Sequence, residues 1–170
     1  MKILLMLVGL LAISATAYSA EIAIHAISEE GVGKQIGTIE ASDSKWGLLL
    51  KPNLSNLPPG VHGFHVHENA NCAAAEKDGK MGAGLAAGSH FDTEKGRKHD
   101  GPYRNGHAGD LPVLIVGEDG RATLPVLAPR LKVADLTGKS LMIHERGDNY
   151  DNQPDPMGGS GGRIACGAVK

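Results

Sequence analysis

The stretch Val61-His62-Gly63-Phe64-His65-Val66-His67-Glu68 decides how this chain is read. Apolar and polar residues alternate through it, the period of a half-buried β-strand. Side chains two apart on a strand share a face, so His65 and His67 point together while Phe64 and Val66 point the other way. His62 stands at an odd offset from both and reads as a structural, hydrogen-bonding histidine rather than a partner of the pair. Similar short runs lie on either side. Ile22, Ile24 and Ala26 share a face, and Ile36–Ala41 alternates. Trp46–Leu50 is a compact apolar run, halted by Pro52-Asn53. Val113–Val116, Ala122–Val126, Leu141–Glu145 and Ile164–Val169 complete the set, with Glu118-Asp119-Gly120 as a hairpin turn between two of them. One short helical piece is expected near Leu131–Leu136, between Pro129 and Gly138. Nothing sustains a helical apolar stripe over three turns. The pattern predicts an all-β sandwich or barrel of about eight short strands.

Two long segments, Asn69–Leu111 and Arg146–Arg163, carry no strand pattern and are rich in Gly. Loops of that length inside a compact domain are usually functional or disordered. Residues suited to metal binding flank or fill both, so both are expected to be working loops.

Composition narrows the class. At 170 residues with 41% hydrophobic content, the chain has one domain's worth of length and enough apolar material for a core. Its 17 Lys and Arg against 19 Asp and Glu argue against a basic nucleic-acid binder. The 24 Gly exceed the average roughly two-fold, aromatics are scarce, and there are eight His. Residues 1–20 have the layout of a secretory signal peptide: Lys2, an almost unbroken apolar Ile3–Ile13, then small residues to Ala20. Cleavage is expected between about 17 and 20, leaving 21–170 as the mature domain. The apolar run is too short to span a bilayer, so stable membrane insertion is not expected. Two cysteines, Cys72 and Cys166, behind such a leader favour one disulfide over two free thiols.

The remaining histidines carry the chemistry. His65-Val66-His67 could offer two imidazoles to one metal, although alternating strands produce HxH by chance. His90, His99, His107 and Asp110 are more specific, with eight, seven and two residues between them in one loop poor in apolar side chains. Three His and one carboxylate make a complete tetrahedral zinc set with no open position, which suits a structural rather than a hydrolytic zinc. His144 ends an apolar strand and gains weight because the 65/67 pair needs more ligands. Asp148 could accept hydrogen bonds from metal-bound imidazoles. Arg163 would lie near the site if the disulfide forms. His25 has no assigned role, and Lys77 and Lys80 are as well read as solvated loop lysines as steering groups.

HGFHVHE at 62–68, GSHFD at 88–92, KHDGPYRNGHAGDLP at 98–112, MIHERGD at 142–148 and GGRIACGAV at 161–169 closely resemble the copper,zinc superoxide dismutases, in their bacterial periplasmic form. The resemblance implies an eight-stranded Greek-key, immunoglobulin-like barrel and an oxidoreductase that converts superoxide to oxygen and peroxide. It implies one copper per subunit on His65, His67, His90 and His144, and one zinc on His90, His99, His107 and Asp110, with His90 shared and catalytic. Asp148 would link His65 to His99, Arg163 would guide superoxide, and Cys72–Cys166 would anchor the active-site loop. The expected state is a monomer or homodimer in the periplasm.

Overall fold

The computed structural model describes residues 19–94 and 98–170. All of the expected leader except Ser19 and Ala20 lies outside the described residues; those two open the first strand. The described residues form eleven strands: β1 (Ser19–Ser28), β2 (Gly31–Ser44), β3 (Gly47–Leu54), β4 (Gly60–His62), β5 (Phe64–His67), β6 (Ala75–Lys77), β7 (Lys80–Gly82), β8 (Leu114–Val116), β9 (Val126–Ala128), β10 (Ser140–His144) and β11 (Arg163–Ala168). Seven of them make one antiparallel sheet in the order β5-β10-β11-β1-β2-β3-β9. At one edge β5 continues back through Gly63 into β4, which pairs with β8. The turn after β8, closed by Gly117 N–H donating to Arg121 O at 2.8 Å, leads toward β9 at the other edge. The sheet therefore curls on itself. With the small β6–β7 hairpin set apart and β4 and β5 counted as one run bent at Gly63, the barrel has the expected eight strands.

The interior is aliphatic. Ile22, Ile24, Ile39, Leu48, Leu50, Leu141 and Ile143 are buried in it, with Phe64 as the aromatic member. Each buried aliphatic side chain of this size is worth about 1.5–3 kcal/mol. A second, smaller cluster of Ile27, Met142, Ala87, Cys72 and Cys166 lies outside the main core and packs around the Cys72–Cys166 disulfide. Register shifts after Ile24 and His25 explain how one strand serves both: Ile22 and Ile24 enter the main core, while Ile27 turns to the disulfide.

Three local expectations are corrected. Strand β3 passes through Pro52 and reaches Leu54. Leu54 exchanges hydrogen bonds with Ala122 on the β9 side, so two residues earlier the missing Pro52 N–H faces that side too. There β9 covers only Leu48–Leu50, and no ladder bond is lost. The strand expected at Ala122–Val126 instead runs Val126–Ala128, Ala122 contributing an isolated bridge ahead of Pro125. Finally, the first long loop is not strand-free: Ala75–Gly82 folds into the β6–β7 hairpin over Asp78-Gly79, both at positive φ. The short helical piece is present as a 3-10 turn, Val133–Leu136.

Candidate metal centre

Strand β5 is buried along its whole length, with Phe64 and Val66 in the core and His65 and His67 on the opposite face. β10 flanks it on one side. On the other, the first long loop is stitched to Val66, whose N–H donates to Gly109 O and whose carbonyl accepts from Phe91 N–H, both at 2.8 Å. Gly109 permits this approach, because a Cβ there would stand 2.3 Å from the Val66 carbonyl oxygen. The stitching sets His90 opposite His67 and Asp110 opposite His65. His144 arrives from the end of β10, where a register shift after Ile143 re-aims it.

The hydrogen bonds fix which nitrogen of each ring is free. His65 Nε2–H donates to Asp148 Oδ2 at 2.7 Å, His67 Nδ1–H to Gly88 O at 2.9 Å and His144 Nδ1–H to Gly161 O at 3.3 Å. What remains is His65 Nδ1, His67 Nε2 and His144 Nε2, all buried and without a hydrogen-bond partner among the described residues. Together with a nitrogen of His90 they lie within 4.8 Å of one another. Unpartnered buried polar atoms are costly, and a cluster of three lone pairs aimed at one place is what a metal ion satisfies.

The second set is equally tight. His90 Nδ1, His99 Nδ1 and His107 Nδ1 stand 3.0, 3.0 and 3.3 Å from one oxygen, Oδ1 of Asp110. Tetrahedral ligands at zinc bond lengths are separated by about 3.3 Å, so this crowding fits a zinc ion in the middle. His90 belongs to both sets, with Nδ1 turned to Asp110. Asp148 ties the halves together: Oδ2 takes the His65 proton donor and Oδ1 accepts from His99 Nε2–H at 2.8 Å.

Electrostatics separate the two sets. Burial, reinforced by the neighbouring imidazoles, holds His65, His67 and His90 below the ordinary histidine value and pushes His144 down to about 4. These rings are neutral at pH 7, as ligands must be. His99 is the opposite case. Burial disfavours its charge, but hydrogen bonds to Asp110 and Asp148 outweigh that and raise it to about 9. The same imidazole contacts overcome burial on Asp110 and Asp148 and hold both carboxyls well below the usual range.

Arg163 opens β11 beside this cluster. Its Nη1 donates to Gly84 O at 2.6 Å and its Nη2 to Gly88 O at 2.7 Å. Gly88 O is also the acceptor for His67, so the arginine and a candidate ligand are anchored on one atom. The Cys72–Cys166 disulfide, with 5.7 Å between the Cα atoms, ties the loop bearing these carbonyls to β11 three residues beyond Arg163. Arg163 lines a surface hollow with Lys77, Ser89 and Met157.

Of the eight histidines, two stay outside. His62 is buried, with Nδ1 2.7 Å from His144 O and Nε2 2.8 Å from Pro58 O, so both nitrogens are engaged by carbonyls. His25 sits on β1 opposite Cys166 and belongs to neither set. Lys80 pairs with Lys77 across the hairpin but does not line the hollow. Sequence reasoning missed Tyr150, whose ring lies against Gly101 and whose hydroxyl accepts from Val113 N–H at 2.9 Å. Its contacts span 37 and more residues, and nothing local marks them.

A curled antiparallel sheet presenting two ligand sets that share one imidazole defines a β-barrel metalloprotein with a two-metal centre. Comparison with known proteins agrees. Residues 35–169 match the copper/zinc superoxide dismutase family. The chain is 48% identical over 171 residues, 99% of each sequence, to "Superoxide dismutase [Cu-Zn] 2" of Salmonella typhimurium. It is 46% identical over 160 residues to superoxide dismutase [Cu-Zn] of Escherichia coli K12, covering 94% of this chain and 92% of that one. Among solved structures, the Cu/Zn superoxide dismutase of Brucella abortus superposes with a TM-score of 0.88 at 45% identity, over 90% of this chain and all of that one. The monomeric copper, zinc superoxide dismutase of Salmonella enterica gives 0.81 at 49%, with the same coverage. The chain belongs to the copper/zinc superoxide dismutase family.

Proposed function

We propose that this chain converts two superoxide anions and two protons to oxygen and hydrogen peroxide. The observation that carries the reading is the convergence of the free nitrogens of His65, His67 and His144, with His90, beside a clamped arginine. Those four histidines would hold copper, and His90, His99, His107 and Asp110 would hold zinc. When bound, copper supplies a one-electron couple that imidazole ligands support in both oxidation states, and zinc fixes and polarises the shared ring.

The chain's own groups do the rest. Arg163 offers a permanent positive charge and its remaining N–H donors to a small anion, while its bonds to Gly84 O and Gly88 O keep it from swinging away. His90 has Nδ1 committed toward Asp110, which leaves Nε2 as its one atom for the copper set; whenever Nε2 is not held by copper it would carry a proton to the peroxide product. Asp148 orients His65 and His99 through Nε2–H of each, presenting their Nδ1 atoms inward. Both ligand sets come from one chain, so the site is complete without a second copy.

The test is superoxide decay, followed directly, with purified chain loaded with both metals or with zinc alone. The two-metal form is expected to accelerate decay at a rate set by enzyme concentration, and the zinc-only form to do nothing. Full metal occupancy without acceleration favours a metal-binding or metal-delivery protein on the same fold.

Residues 1–20 are read as a leader removed between about 17 and 20, which places 21–170 in the periplasm. The disulfide fits an oxidising compartment, and among the described residues no helix is long and apolar enough to cross a membrane. Amino-terminal sequencing of the exported protein tests this; a mature chain that keeps Met1 would sink it.

A further inference from the structure

Arg130 makes contacts that the reaction itself does not require. It follows Pro129 just beyond β9, on a base fixed to the barrel: Ala128 pairs with Leu48, and Leu131 is buried in the core. From there its guanidinium reaches back 23 to 29 residues and donates to four backbone carbonyls of the loop that carries His107 and Asp110. Nε bonds Pro102 O at 3.0 Å and Nη1 bonds Gly106 O at 2.7 Å. Nη2 takes Gly101 O at 3.1 Å and His107 O at 2.6 Å.

Four carbonyl dipoles converging on one place repel one another, and a cation donating to all four offsets that repulsion. A guanidinium carries its charge on a rigid planar fork of five N–H groups, whereas a lysine ammonium is a compact point charge whose three donors sit on one atom. The His107 carbonyl is held by Arg130 while its ring nitrogen faces Asp110. We propose that Arg130 is the positioning residue of the zinc set: it presets the 101–107 turn so that His107 and Asp110 stand at ligand spacing before the ion arrives. The inference rests on the zinc assignment made above.

The experiment uses the two-metal protein and its Arg130→Gln, Arg130→Lys and Asp110→Ala variants. It measures zinc transfer to a chromogenic chelator, copper content, and the visible spectrum of Co2+ placed in the zinc set. Arg130→Gln is expected to release zinc at least about ten-fold faster, with copper retained and the Co2+ bands altered. Arg130→Lys, which keeps the charge but not the fork, is expected to resemble Arg130→Gln. Zinc release within about two-fold of the parent in Arg130→Gln, with Asp110→Ala losing zinc, overturns the clamp alone. Zinc retained in Asp110→Ala overturns the zinc assignment itself. Loss of both metals in Arg130→Gln, restored by Arg130→Lys, shows a general charge effect and also overturns the proposal.

Discussion

His99 shows how much one ring can report. In the metal-free chain its pKa stands at about 9, so at pH 7 it is an imidazolium between two carboxylates. A raised histidine stabilises the fold fully below its unfolded value near 6.5, and that contribution is lost as pH climbs through about 9. Asp110 and Asp148 are depressed, so their contribution is present above the ordinary carboxyl range and lost in acid. Metal must displace the Nδ1 proton of His99. Zinc uptake by metal-free protein at pH 7 is therefore expected to release about one proton from His99, a release without counterpart in the copper set, whose four imidazoles are already neutral. Calorimetry in buffers of different ionisation enthalpy reads the difference; equal proton release by the two metals would contradict it. Arg163→Glu places a negative charge where the anion must pass. It is expected to cut the bimolecular rate by at least about ten-fold while both metals stay bound. An unchanged rate would remove Arg163 from substrate guidance.

At the scale of elements, the site depends on loops held against strands at backbone contact distance. Gly109→Ala is the sharpest probe, since its Cβ would meet the Val66 carbonyl at 2.3 Å and Phe91 N at 3.0 Å. The loop must lift from β5, at an expected cost of about 1–3 kcal/mol in denaturant unfolding and with weakened zinc retention. Removing the disulfide by Cys72→Ser with Cys166→Ser opens a crosslink spanning 94 residues, expected to cost up to about 4–5 kcal/mol. Activity should fall further than metal content, because the Gly84 and Gly88 carbonyls that hold Arg163 lie in the released loop. Parity along the β4–β5 run made His65, His67 and His62 legible in sequence, and the dense His spacing did the same for the second set. Pro52, the β6–β7 hairpin and Arg130 were not legible. Pro52 is tolerated only because β9 stops short of it, the hairpin strands are three mostly exposed residues each, and Arg130 acts on carbonyls far away in sequence.

The whole molecule works against its own charge. The formal net charge is −2, and would be −3 if the proposed leader is removed with its Lys2, yet the substrate is an anion. Attraction must come from the local field of Arg163, since Lys77 and Glu76 line the same hollow with opposite charges. The rate is expected to fall as salt rises from about 0.1 to 1 M, where the Debye length shrinks from about 10 to 3 Å. A rate that rises with salt would show that global repulsion dominates. The proposed chemistry turns on a division of labour between two ligand sets that share His90. Anomalous scattering from crystals of the metal-loaded chain, collected at the copper and zinc edges, tests it most directly. Copper is expected among His65, His67, His90 and His144, and zinc among His90, His99, His107 and Asp110. One metal alone, both elements mixed in both places, or a His90 that touches only one ion would contradict it.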